Sequence, residues 1–384
     1  MEKDKKILIF STAYYPFVGG AEVAVKEITD RISDVHFDLV TARFKRSLPK
    51  FEKIGNVNVY RIGIGIGILD KLLLPCCGAF KAARLNRKKS YDAFWGIMAS
   101  YGSGAAYVAN FFIKEKVPII LTLQEGDSEE HFGRRWFGLI NFSWGLALRK
   151  TRILTTISSF LANRAREFGY RGETKIIPNG VDVGKFGAEM PDIERSRLRG
   201  ELELEDGDIA LVTASRLVVK NGIEDVIKAL KLLPENIKFV ICGTGELQKS
   251  LELKAKSLEI EGRVLFKGYV THEELPKILK SCDIFIRPSL SEGMGNSFLE
   301  AMAARLPVIA TPVGGIVDFL QDGETGYFCR PKDPESVAKA VKRAISDPDR
   351  GLVLEKAYKM AEERYNWDSI AEAANVVFKT FNTK

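Results

Sequence analysis

Residues 284–304 read Ile284-Phe-Ile-Arg-Pro-Ser-Leu-Ser-Glu-Gly-Met-Gly-Asn-Ser-Phe-Leu-Glu-Ala-Met-Ala-Ala304, and they join three kinds of local structure in one short stretch. The apolar run before the proline predicts a buried strand, and the alanine-rich end predicts a helix with Asn296 or Ser297 as its N-cap. Glu292 lies in the glycine-containing loop between them. A helix that begins behind such a loop presents unpaired N–H groups and the positive end of its dipole, so the stretch predicts an anion-binding site.

The same alternation of strand-like and helix-like segments continues along the whole chain. Apolar, β-branched runs that alternate with helix-period segments are typical of parallel sheets covered by helices on both faces. The pattern restarts near residue 209, after a Pro-Asn-Gly turn cluster that begins at Pro178. We therefore predict an α/β protein made of two Rossmann-like, doubly wound domains facing each other across a cleft. The predicted strands are 6–11, 37–41, 57–62, 93–98, 119–123, 153–157 and 175–177 in the first domain, and 209–214, 238–242, 264–266, 284–287 and 308–310 in the second.

Two domains also suit the size of the chain, because 384 residues exceed what one ordinary core organises. We expect one domain at residues 1–182 and a second at residues 183–364. The remaining residues, 365–384, predict a helix that packs back on the first domain.

The composition is that of a globular protein, with 46% hydrophobic and 28% charged residues. Five cysteines are an odd number, and three of them lie in or beside apolar, strand-like runs, as thiols do in a reducing compartment. The sequence shows neither a signal-peptide pattern at its start nor a run of 18 apolar residues. We therefore expect a cytoplasmic protein.

Basic residues are concentrated in the first half, where residues 1–190 carry a net charge of +10 against −3 for the rest. The densest basic segment, 81–89, follows an apolar stretch at 63–75. Two interpretations stay open: a surface for anionic membrane or for a lipid-linked substrate, or a solvated helix face beside a strand and a loop. A nucleic-acid interface is disfavoured, because the aromatic residues are not interleaved with the basic ones.

Ligands of open α/β sheets bind outside the carboxyl ends of the strands, so chemistry is expected in the loops that follow strands. Gly19 and Gly20 follow the first strand, and adjacent glycines let the backbone approach a phosphate or a sugar closely. Arg216 and Lys220 follow the first strand of the second domain, where they could neutralise a diphosphate leaving group without a metal. The plainer alternatives are a tight turn for the glycines and ordinary surface charge for the basic pair.

Two carboxylates, Glu292 and Glu300, flank the predicted helix start. If residues 292–300 were fully helical, these residues would lie about 12 Å apart along the axis. That separation exceeds the roughly 5–9.5 Å between the paired carboxylates of glycosidases, so a hydrolytic pair is disfavoured. We expect each carboxylate to accept hydrogen bonds from a different hydroxylated part of one ligand, as the two parts of a sugar nucleotide would allow.

The loop after the predicted strand 119–123 is rich in acidic side chains. It starts with Gln124 and Glu125 and reaches His131, and its side chains could position hydroxyl groups. Of the three histidines, His36 begins a strand and His272 precedes a helix start, so His131 is the one expected near the cleft, as an acceptor or sugar contact.

These residues resemble the retaining glycosyltransferases of family 4, which have the GT-B architecture. The resemblance covers nearly the whole chain, and its most specific element is the E-x7-E motif from Glu292 to Glu300. The supporting motifs are Pro16-Phe-Val-Gly-Gly-Ala-Glu22, Ser215-Arg-Leu217 with Lys220, Ile177-Pro-Asn-Gly-Val-Asp182 and Pro312-Val-Gly-Gly315.

The resemblance implies transfer of a hexose from a UDP- or GDP-linked sugar, with retention at the anomeric carbon and with no metal or other cofactor. The N-terminal domain would bind a glycan, lipid-linked or small-molecule acceptor, and the C-terminal domain the nucleotide sugar. Glu292 would hold the hydroxyls of the donor sugar and Glu300 the ribose. The predicted catalytic residues are Glu292, Arg216, Lys220, Gln124 and Glu125, and the further donor contacts are Gly19, Gly20, Gly268, Gly293, Met294, Gly295, Asn296, Ser297 and Glu300.

Two positions depart from the pattern of the family. Asn221 stands where many members have a lysine, so Lys220 is expected to reach the phosphate from one position earlier. Gln124 or Glu125 stands where many members have a histidine. Two alternatives therefore stay open: a sugar-nucleotide epimerase or hydrolase with the same fold, and a nucleotide-sugar-binding protein without turnover. The resemblance also implies a role in polysaccharide biosynthesis. The basic first half leaves open a place at the inner face of the membrane, and no nucleic-acid partner is expected.

Overall fold

A computed structural model describes residues 4–126 and 139–381, with the side chains of residues 139–143 and 146 left out. The chain forms two compact units. Unit 1 comprises Met1–Asn179 and Trp367–Lys384, and unit 2 comprises Gly180–Asn366. The last helix therefore belongs to the same unit as the first strand.

Unit 1 contains a mainly parallel sheet. Its strands are β1 Lys5–Phe10, β2 Val35–Ala42, β3 Phe51–Ile54, β4 Val57–Ile62, β5 Ala93–Ile97, β6 Ile119–Leu123, β7 Ile153–Thr156 and β8 Glu173–Ile176. They lie in the order β3-β4-β2-β1-β5-β6-β7-β8, and only the β3–β4 pair is antiparallel among the described strands. Its helices, numbered along the whole chain, are α1 Gly20–Arg31, α2 Gly67–Leu73, α3 Ala79–Lys89, α4 Tyr101–Phe112, α5 Leu139–Lys150, α6 Ser159–Glu167 and α15 Trp367–Lys379.

Both faces of this sheet are buried, as the strand β1 illustrates. Successive side chains of a strand point to opposite faces. Ile7 and Ile9 accordingly join the core under α1 and α15, whereas Leu8 and Phe10 join the core under α3 and α4. The aromatic ring of Phe378 in α15 lies 4.9 Å from that of Trp95 in β5, measured between centroids. The last helix is thus part of the core of unit 1.

Unit 2 contains a fully parallel sheet over the residues described. Its strands are β9 Ile209–Ala214, β10 Ile237–Cys242, β11 Val264–Gly268, β12 Ile284–Arg287, β13 Val308–Ala310 and β14 Tyr327–Phe328, in the order β11-β10-β9-β12-β13-β14. Its helices are α7 Val183–Gly187, α8 Asp192–Glu201, α9 Ile223–Leu230, α10 Gln248–Ser257, α11 Leu275–Ser281, α12 Asn296–Ala303, α13 Pro334–Ser346 and α14 Arg350–Arg364.

The predicted fold class is confirmed, since the sheet of unit 1 is mainly parallel, that of unit 2 is parallel over the residues described, and both are doubly wound and covered by helices. All twelve predicted strands are present, and two further strands, β3 and β14, were missed. Strand β3 is an edge strand that pairs with β4 across the two-residue turn Gly55–Asn56, and its side chains are only partly buried. Strand β14 has two residues, too few to show a period.

Each sheet has one topological switch point, where the chain changes the direction in which it adds strands. In unit 1 it lies between β1 and β5, and in unit 2 between β9 and β12. The loops that leave the two neighbouring strands diverge there and leave a crevice in which doubly wound sheets bind ligands. Within residues 4–126 and 139–381, every helix is too short or too polar to span a bilayer.

Candidate functional site

The loop between β12 and α12 carries the first candidate carboxylate. Glu292 lies in this loop and Glu300 inside the helix, as predicted. The predicted N-cap is wrong, because the helix begins at Asn296 and its N-cap residue is Gly295, in the left-handed region with φ 87°. A Cβ atom at this position would overlap the guanidinium of Arg287 and the ring of Phe298, so only glycine fits. The 12 Å estimate assumed a helix from 292, and it does not apply here.

Arg287 is the last residue of strand β12, and its side chain bonds to the loop between β12 and α12 and to the start of α12. Its Nη2 donates to Oε2 of Glu292 at 2.8 Å, and its Nη1 donates to Oγ of Ser297 at 2.9 Å. The guanidinium carbon lies 4.2 Å from the centroid of the Phe298 ring. Arg287 is only 5% exposed, and this burial lowers its pKa, while the nearby Glu292 and Glu300 oppose the shift. One side chain therefore fixes two of the predicted donor-binding residues.

The carboxylate of Glu292 keeps capacity for a ligand. Its Oε1 accepts a hydrogen bond from the backbone N–H of Gly293 at 3.1 Å. A carboxylate offers about four lone-pair sites, so two bonds within the protein leave others for hydroxyl groups. The backbone carbonyl of Glu292 accepts from the N–H of Gly315 at 3.2 Å, and a Cβ at Gly314 would overlap that carbonyl. The Gly-Gly pair of the motif 312–315 thus supports the loop.

Glu300 faces a histidine that the sequence did not favour. Its Oε1 lies 3.8 Å from Nδ1 of His272, and Glu300 is 6% exposed. Burial raises the pKa of Glu300, whereas His272, Arg287 and Lys185 act to lower it. In the sequence, His272 is only a residue before a predicted helix start. No motif around it predicts a contact with Glu300. Arg287 could have been noticed, since it is the single charged residue in strand β12 and Glu292 follows five residues later.

The loop after β9 lies against this carboxylate loop. The backbone carbonyl of Lys220 accepts from the N–H of Leu290 at 2.6 Å, and a Cβ at Gly222 would overlap the carbonyl of Pro288. The side chain of Arg216 is exposed beside this junction. The structure thus brings the basic loop and the carboxylate loop together at the switch point of unit 2.

Asn221, the first departure from the family pattern, has a structural task. It is buried, and its Nδ2 donates to the backbone carbonyl of Arg216 at 2.6 Å. The amide therefore shapes the loop that presents Arg216. A lysine at this position would replace that bond with a charge, which buried sites disfavour.

Two of the predicted donor contacts present only backbone to a ligand. Met294 is 1% exposed, so its side chain belongs to the core. Gly268 ends β11 in the left-handed region with φ 72°, and nothing lies within 4 Å of where its Cβ would be. Its carbonyl accepts from the N–H of Gly243 at 2.6 Å. Gly268 is two strands away from β9 in the sheet, so it lies at the far side of the same carboxyl edge.

In unit 1, the glycine loop after β1 begins helix α1. Gly19 is its N-cap residue, and both Gly19 and Gly20 are exposed. The carboxylate of Glu22 lies at this helix start: burial raises its pKa, while the N–H groups of Glu22 and Gly19 act to lower it. The positive end of α1 is therefore partly neutralised by its own glutamate, which weakens the anion site expected there.

Gln124 and Glu125 follow β6 and bond within unit 1. Oε1 of Glu125 accepts from the N–H of Ala99, in the loop after β5, at 2.6 Å, and Oε2 accepts from the N–H of Gln124 at 3.2 Å. Oε1 of Gln124 accepts from Nδ2 of Asn179 at 3.5 Å, beside a cavity of about 20 Å³ that Trp95 also lines. These bonds hold the loops of the carboxyl edge together. The catalytic roles of both residues stay predictions, and His131 lies outside the described residues.

Two doubly wound parallel sheets, each with candidate ligand loops at its switch point, define the GT-B class of fold. Residues 18–185 match the family described as Glycosyltransferase Family 4, and residues 194–367 match the family described as Glycosyl transferases group 1. The chain belongs to these group 1, family 4 glycosyltransferases, as its resemblance to them indicated.

Individual relatives and structures agree with this assignment. An uncharacterized glycosyltransferase of Methanocaldococcus jannaschii is 33% identical over 54% of this chain and 54% of its own length. The GDP-mannose-dependent alpha-(1-6)-phosphatidylinositol monomannoside mannosyltransferase of Mycobacterium tuberculosis is 31% identical over 58% of this chain and 60% of its own. The chain thus spans a little over half the length of these relatives. The crystal structure of HepE from Anabaena in complex with UDP and glucose shares the fold, with a TM-score of 0.79 and 21% identity over 98% of this chain and 100% of HepE.

Proposed function

We propose that the protein is a retaining glycosyltransferase that transfers a hexose from a UDP- or GDP-linked sugar to a glycan, lipid-linked or small-molecule acceptor. The observation that carries this proposal is the junction at the switch point of unit 2. There the bond from Leu290 to Lys220 joins a loop with an exposed arginine to a loop with a partly exposed carboxylate, Glu292. A cation for a diphosphate and a carboxylate for sugar hydroxyls are the two groups that recognise a sugar nucleotide.

The chemistry assigned to these residues follows from the charge that develops in the reaction. As the bond from the anomeric carbon to the diphosphate breaks, negative charge grows on the leaving phosphate. Arg216 and Lys220 would stabilise that charge, so no metal ion is required in this proposal. Glu292, held by Arg287, would fix the hydroxyls of the sugar, and Glu300 those of the ribose. The acceptor oxygen then bonds to the same face of the sugar, and its proton leaves with the diphosphate.

The base of the nucleotide and the acceptor are open within this proposal. HepE binds UDP and glucose, and the mycobacterial relative uses GDP-mannose and acts on a phosphatidylinositol mannoside. Both names support a nucleotide-sugar donor, and the second supports a lipid-linked acceptor for this chain as well. We accordingly place the reaction at the inner surface of a membrane, in the biosynthesis of a glycolipid or polysaccharide.

The test has a binding step and a turnover step. UDP or GDP is expected to raise the melting temperature of the full chain, and Arg216→Ala and Glu292→Gln are expected to abolish that shift. The matched control is Lys249→Ala, an exposed lysine on α10. If neither nucleotide diphosphate stabilises the wild type, the proposed donor site is wrong.

The turnover step separates the proposed transferase from its alternatives. Labelled UDP- and GDP-hexoses are incubated with and without a membrane-lipid extract, in the presence of a chelator. Transferase activity gives a glycosylated product of retained anomeric configuration only when acceptor is present. Release of free sugar or an isomerised sugar nucleotide without acceptor would instead indicate a hydrolase or epimerase. Binding without any product would favour the non-catalytic alternative.

A further inference from the structure

Large apolar side chains are exposed side by side on one face of unit 1. Ile68 is 78% exposed, Phe80 61% and Phe111 78%. The rings of Phe80 and Phe112 stack with their centroids 4.7 Å apart, which joins α3 to α4 at the surface. Of the twenty large hydrophobic side chains found exposed in the described part of the chain, nine lie between residues 64 and 112. Single exposed side chains are ordinary, whereas a cluster marks an interaction site.

The exposed positions form a straight stripe along one helical segment. Helix α2, the π-helical turn Leu74–Gly78 and helix α3 follow one another without a break. In a regular α-helix, every fourth residue drifts by about 40° around the axis. The π-helical turn has more residues per turn and reverses part of that drift. An exposed residue therefore recurs at every fourth position over about 30 Å, and these residues are Ile68, Leu72, Cys76, Phe80, Arg84 and Lys88. We call these six residues the stripe.

The stripe changes from apolar to cationic along its length. Its last two members are Arg84 and Lys88, and Arg87 is exposed beside them. Lys81 lies next to this group: burial lowers its pKa, and the neighbouring charges of Arg84 and Lys88 lower it further. Apolar side chains in line with crowded cations are typical of helices that lie in the interface of an anionic membrane.

The loop at the start of the stripe is held rigidly. Ile64 and Ile66 are exposed, and the backbone N–H groups of Ile64, Gly65 and Ile66 donate to the carboxylate of Asp70 at 2.8, 2.7 and 3.0 Å. Asp70 itself is fully buried. A loop that is already ordered loses little conformational entropy on docking. The exposed isoleucines therefore add apolar surface at low cost.

We propose that the stripe, with Ile64, Ile66, Phe111 and Phe112, docks unit 1 onto an anionic phospholipid surface. A second copy of the chain fits poorly, because a symmetric contact would set the cations of one stripe against either the cations or the apolar side chains of the other. The anionic headgroups of a bilayer match the cations, and its acyl boundary takes the apolar side chains. The proposal rests on the proposed function in one respect: a lipid-linked acceptor gives the enzyme a reason to be at that surface.

The test is flotation of the full chain with lipid vesicles, without nucleotide or acceptor. Vesicles of phosphatidylcholine with one third phosphatidylglycerol are compared with phosphatidylcholine alone. The wild type is expected to float with the anionic vesicles. Arg84→Glu with Lys88→Glu is expected to weaken binding by more than about thirtyfold, because each lost basic residue contributes roughly a factor of five and each new carboxylate is repelled by the headgroups. This loss should shrink in 1 M salt, where the screening length falls to about 3 Å.

The apolar part has its own variant and controls. Ile68→Ser, Leu72→Ser and Phe80→Ser together are expected to weaken binding at least tenfold at every salt concentration. The matched controls lie in unit 2 and should bind like the wild type: Ile193→Ser with Leu253→Ser, and Lys249→Glu with Lys256→Glu, all exposed. Circular dichroism melting checks that each variant is folded.

Three results would overturn the proposal. The wild type could fail to float with anionic vesicles, or the stripe variants could bind as well as the controls. Sedimentation could also show a dimer that the stripe variants dissociate while vesicle binding is unchanged, which would make the stripe a contact between copies. Each readout is independent of nucleotide binding, so failure of docking leaves the donor-site test unaffected, and the reverse also holds.

Discussion

The candidate loops of the two units are held in place to different degrees. In unit 2, the loops after β9 and β12 are joined by the backbone hydrogen bond from Leu290 to Lys220, and the buried Arg287 donates to Glu292 and Ser297. In unit 1, a buried arginine also holds the loop after β1, since Nη2 of Arg61 donates to the backbone carbonyl of Tyr15 at 2.6 Å, but Gly19 and Gly20 at the end of this loop are exposed. The difference suggests that unit 2 is preorganised for a ligand of fixed chemistry. In unit 1, the exposed glycine pair leaves this part of the carboxyl edge less constrained.

The same contrast appears in where each unit keeps its charge. Unit 2 buries the guanidinium of Arg287 beside Glu292, and the hydrogen bonds from its two Nη atoms restrain Glu292 and Ser297. Unit 1 carries the excess of basic residues, and its stripe places several on the surface. Both units use buried charge for positioning, as Arg287 and Asp70 show, whereas the surface charge of unit 1 adds long-range attraction.

The largest effect is expected from a variant that removes the hydrogen bonds from Arg287 to Glu292 and Ser297 in unit 2. Arg287→Met breaks the pair between this buried guanidinium and the partly exposed carboxylate of Glu292, and we expect a loss of about 3 kcal/mol in the free energy of unfolding, the low end for buried pairs. The loss would be measured by urea denaturation followed by circular dichroism, and hydrogen exchange would locate it in β12 and α12. The control is Arg343→Met, which breaks an exposed pair with Asp322 and should cost at most about 1 kcal/mol. Equal losses in the two variants would remove the distinction between the units.

A second variant disturbs the loop of Glu292 from its other side. Gly314 has φ 58°, and a Cβ there would overlap the carbonyl of Glu292. Gly314→Ala is therefore expected to cost about 2–3 kcal/mol and to weaken nucleotide binding. In the control, Gly351→Ala, nothing lies within 4 Å of the new Cβ, and the change should stabilise helix α14 by about 0.5–1 kcal/mol. Thermal melting with and without UDP or GDP measures both effects.

The fold was predictable because its strands are buried on both faces. A run such as 209–214 shows no period and is bounded by turns, so it identifies a strand of a parallel sheet. The edge strand β3 was missed because its side chains are only partly buried, so its sequence lacks the apolar run of a central strand. The Gly-Asn pair at 55–56 was the signal that could have revealed the hairpin.

The site was only partly predictable, because many of the contacts that position its residues join segments that are far apart in the sequence. The motif placed Glu292 and Glu300 in one stretch, and the loop after β9 followed from the switch point. The contact of His272 with Glu300 spans a strand and two helices of sequence, and no local pattern records it. The N-cap was also predicted at the wrong residue because of a contact with other parts of the fold. A Cβ at position 295 would overlap the side chains of Arg287 and Phe298, and this overlap, not the helix sequence, explains the glycine there.

A third variant tests whether Glu125 of unit 1 positions the loops after β5 and β6 or takes part in the reaction. Glu125→Gln keeps the shape but replaces charged hydrogen bonds to the N–H groups of Ala99 and Gln124 with neutral ones. We expect a loss of about 1 kcal/mol in the free energy of unfolding, since charged hydrogen bonds exceed neutral ones by about that amount. If Glu125 only positions the loop, transferase assays should show a raised KM with kcat nearly unchanged. A collapse of kcat at unchanged stability would instead make it catalytic.

The smallest effect is expected for the buried carboxylate of Glu300. Burial raises its pKa, and the neighbouring His272, Arg287 and Lys185 partly offset this rise. Burial raises the pKa of Glu300 in the folded chain above its ordinary value, so the folded chain holds this proton more tightly than the unfolded chain does. The contribution of Glu300 to stability is then greatest below the ordinary carboxyl pKa, and it declines as pH rises from there through the folded pKa. Glu300→Gln lacks this titration. The free energy of unfolding of the variant, relative to the wild type, should therefore increase between pH 4 and pH 7.

Glu355→Gln supplies a control of opposite sign. The hydrogen bond from Arg305 lowers the pKa of Glu355 in the folded chain, so its contribution is present above the ordinary carboxyl pKa and is lost as pH falls. The Glu355→Gln variant should therefore lose stability relative to the wild type over the same rise in pH. If both variants changed in the same direction, the carboxylate of Glu300 would be no more constrained than one on the surface. The rigidity assigned to unit 2 would then rest on Arg287 and its backbone contacts alone.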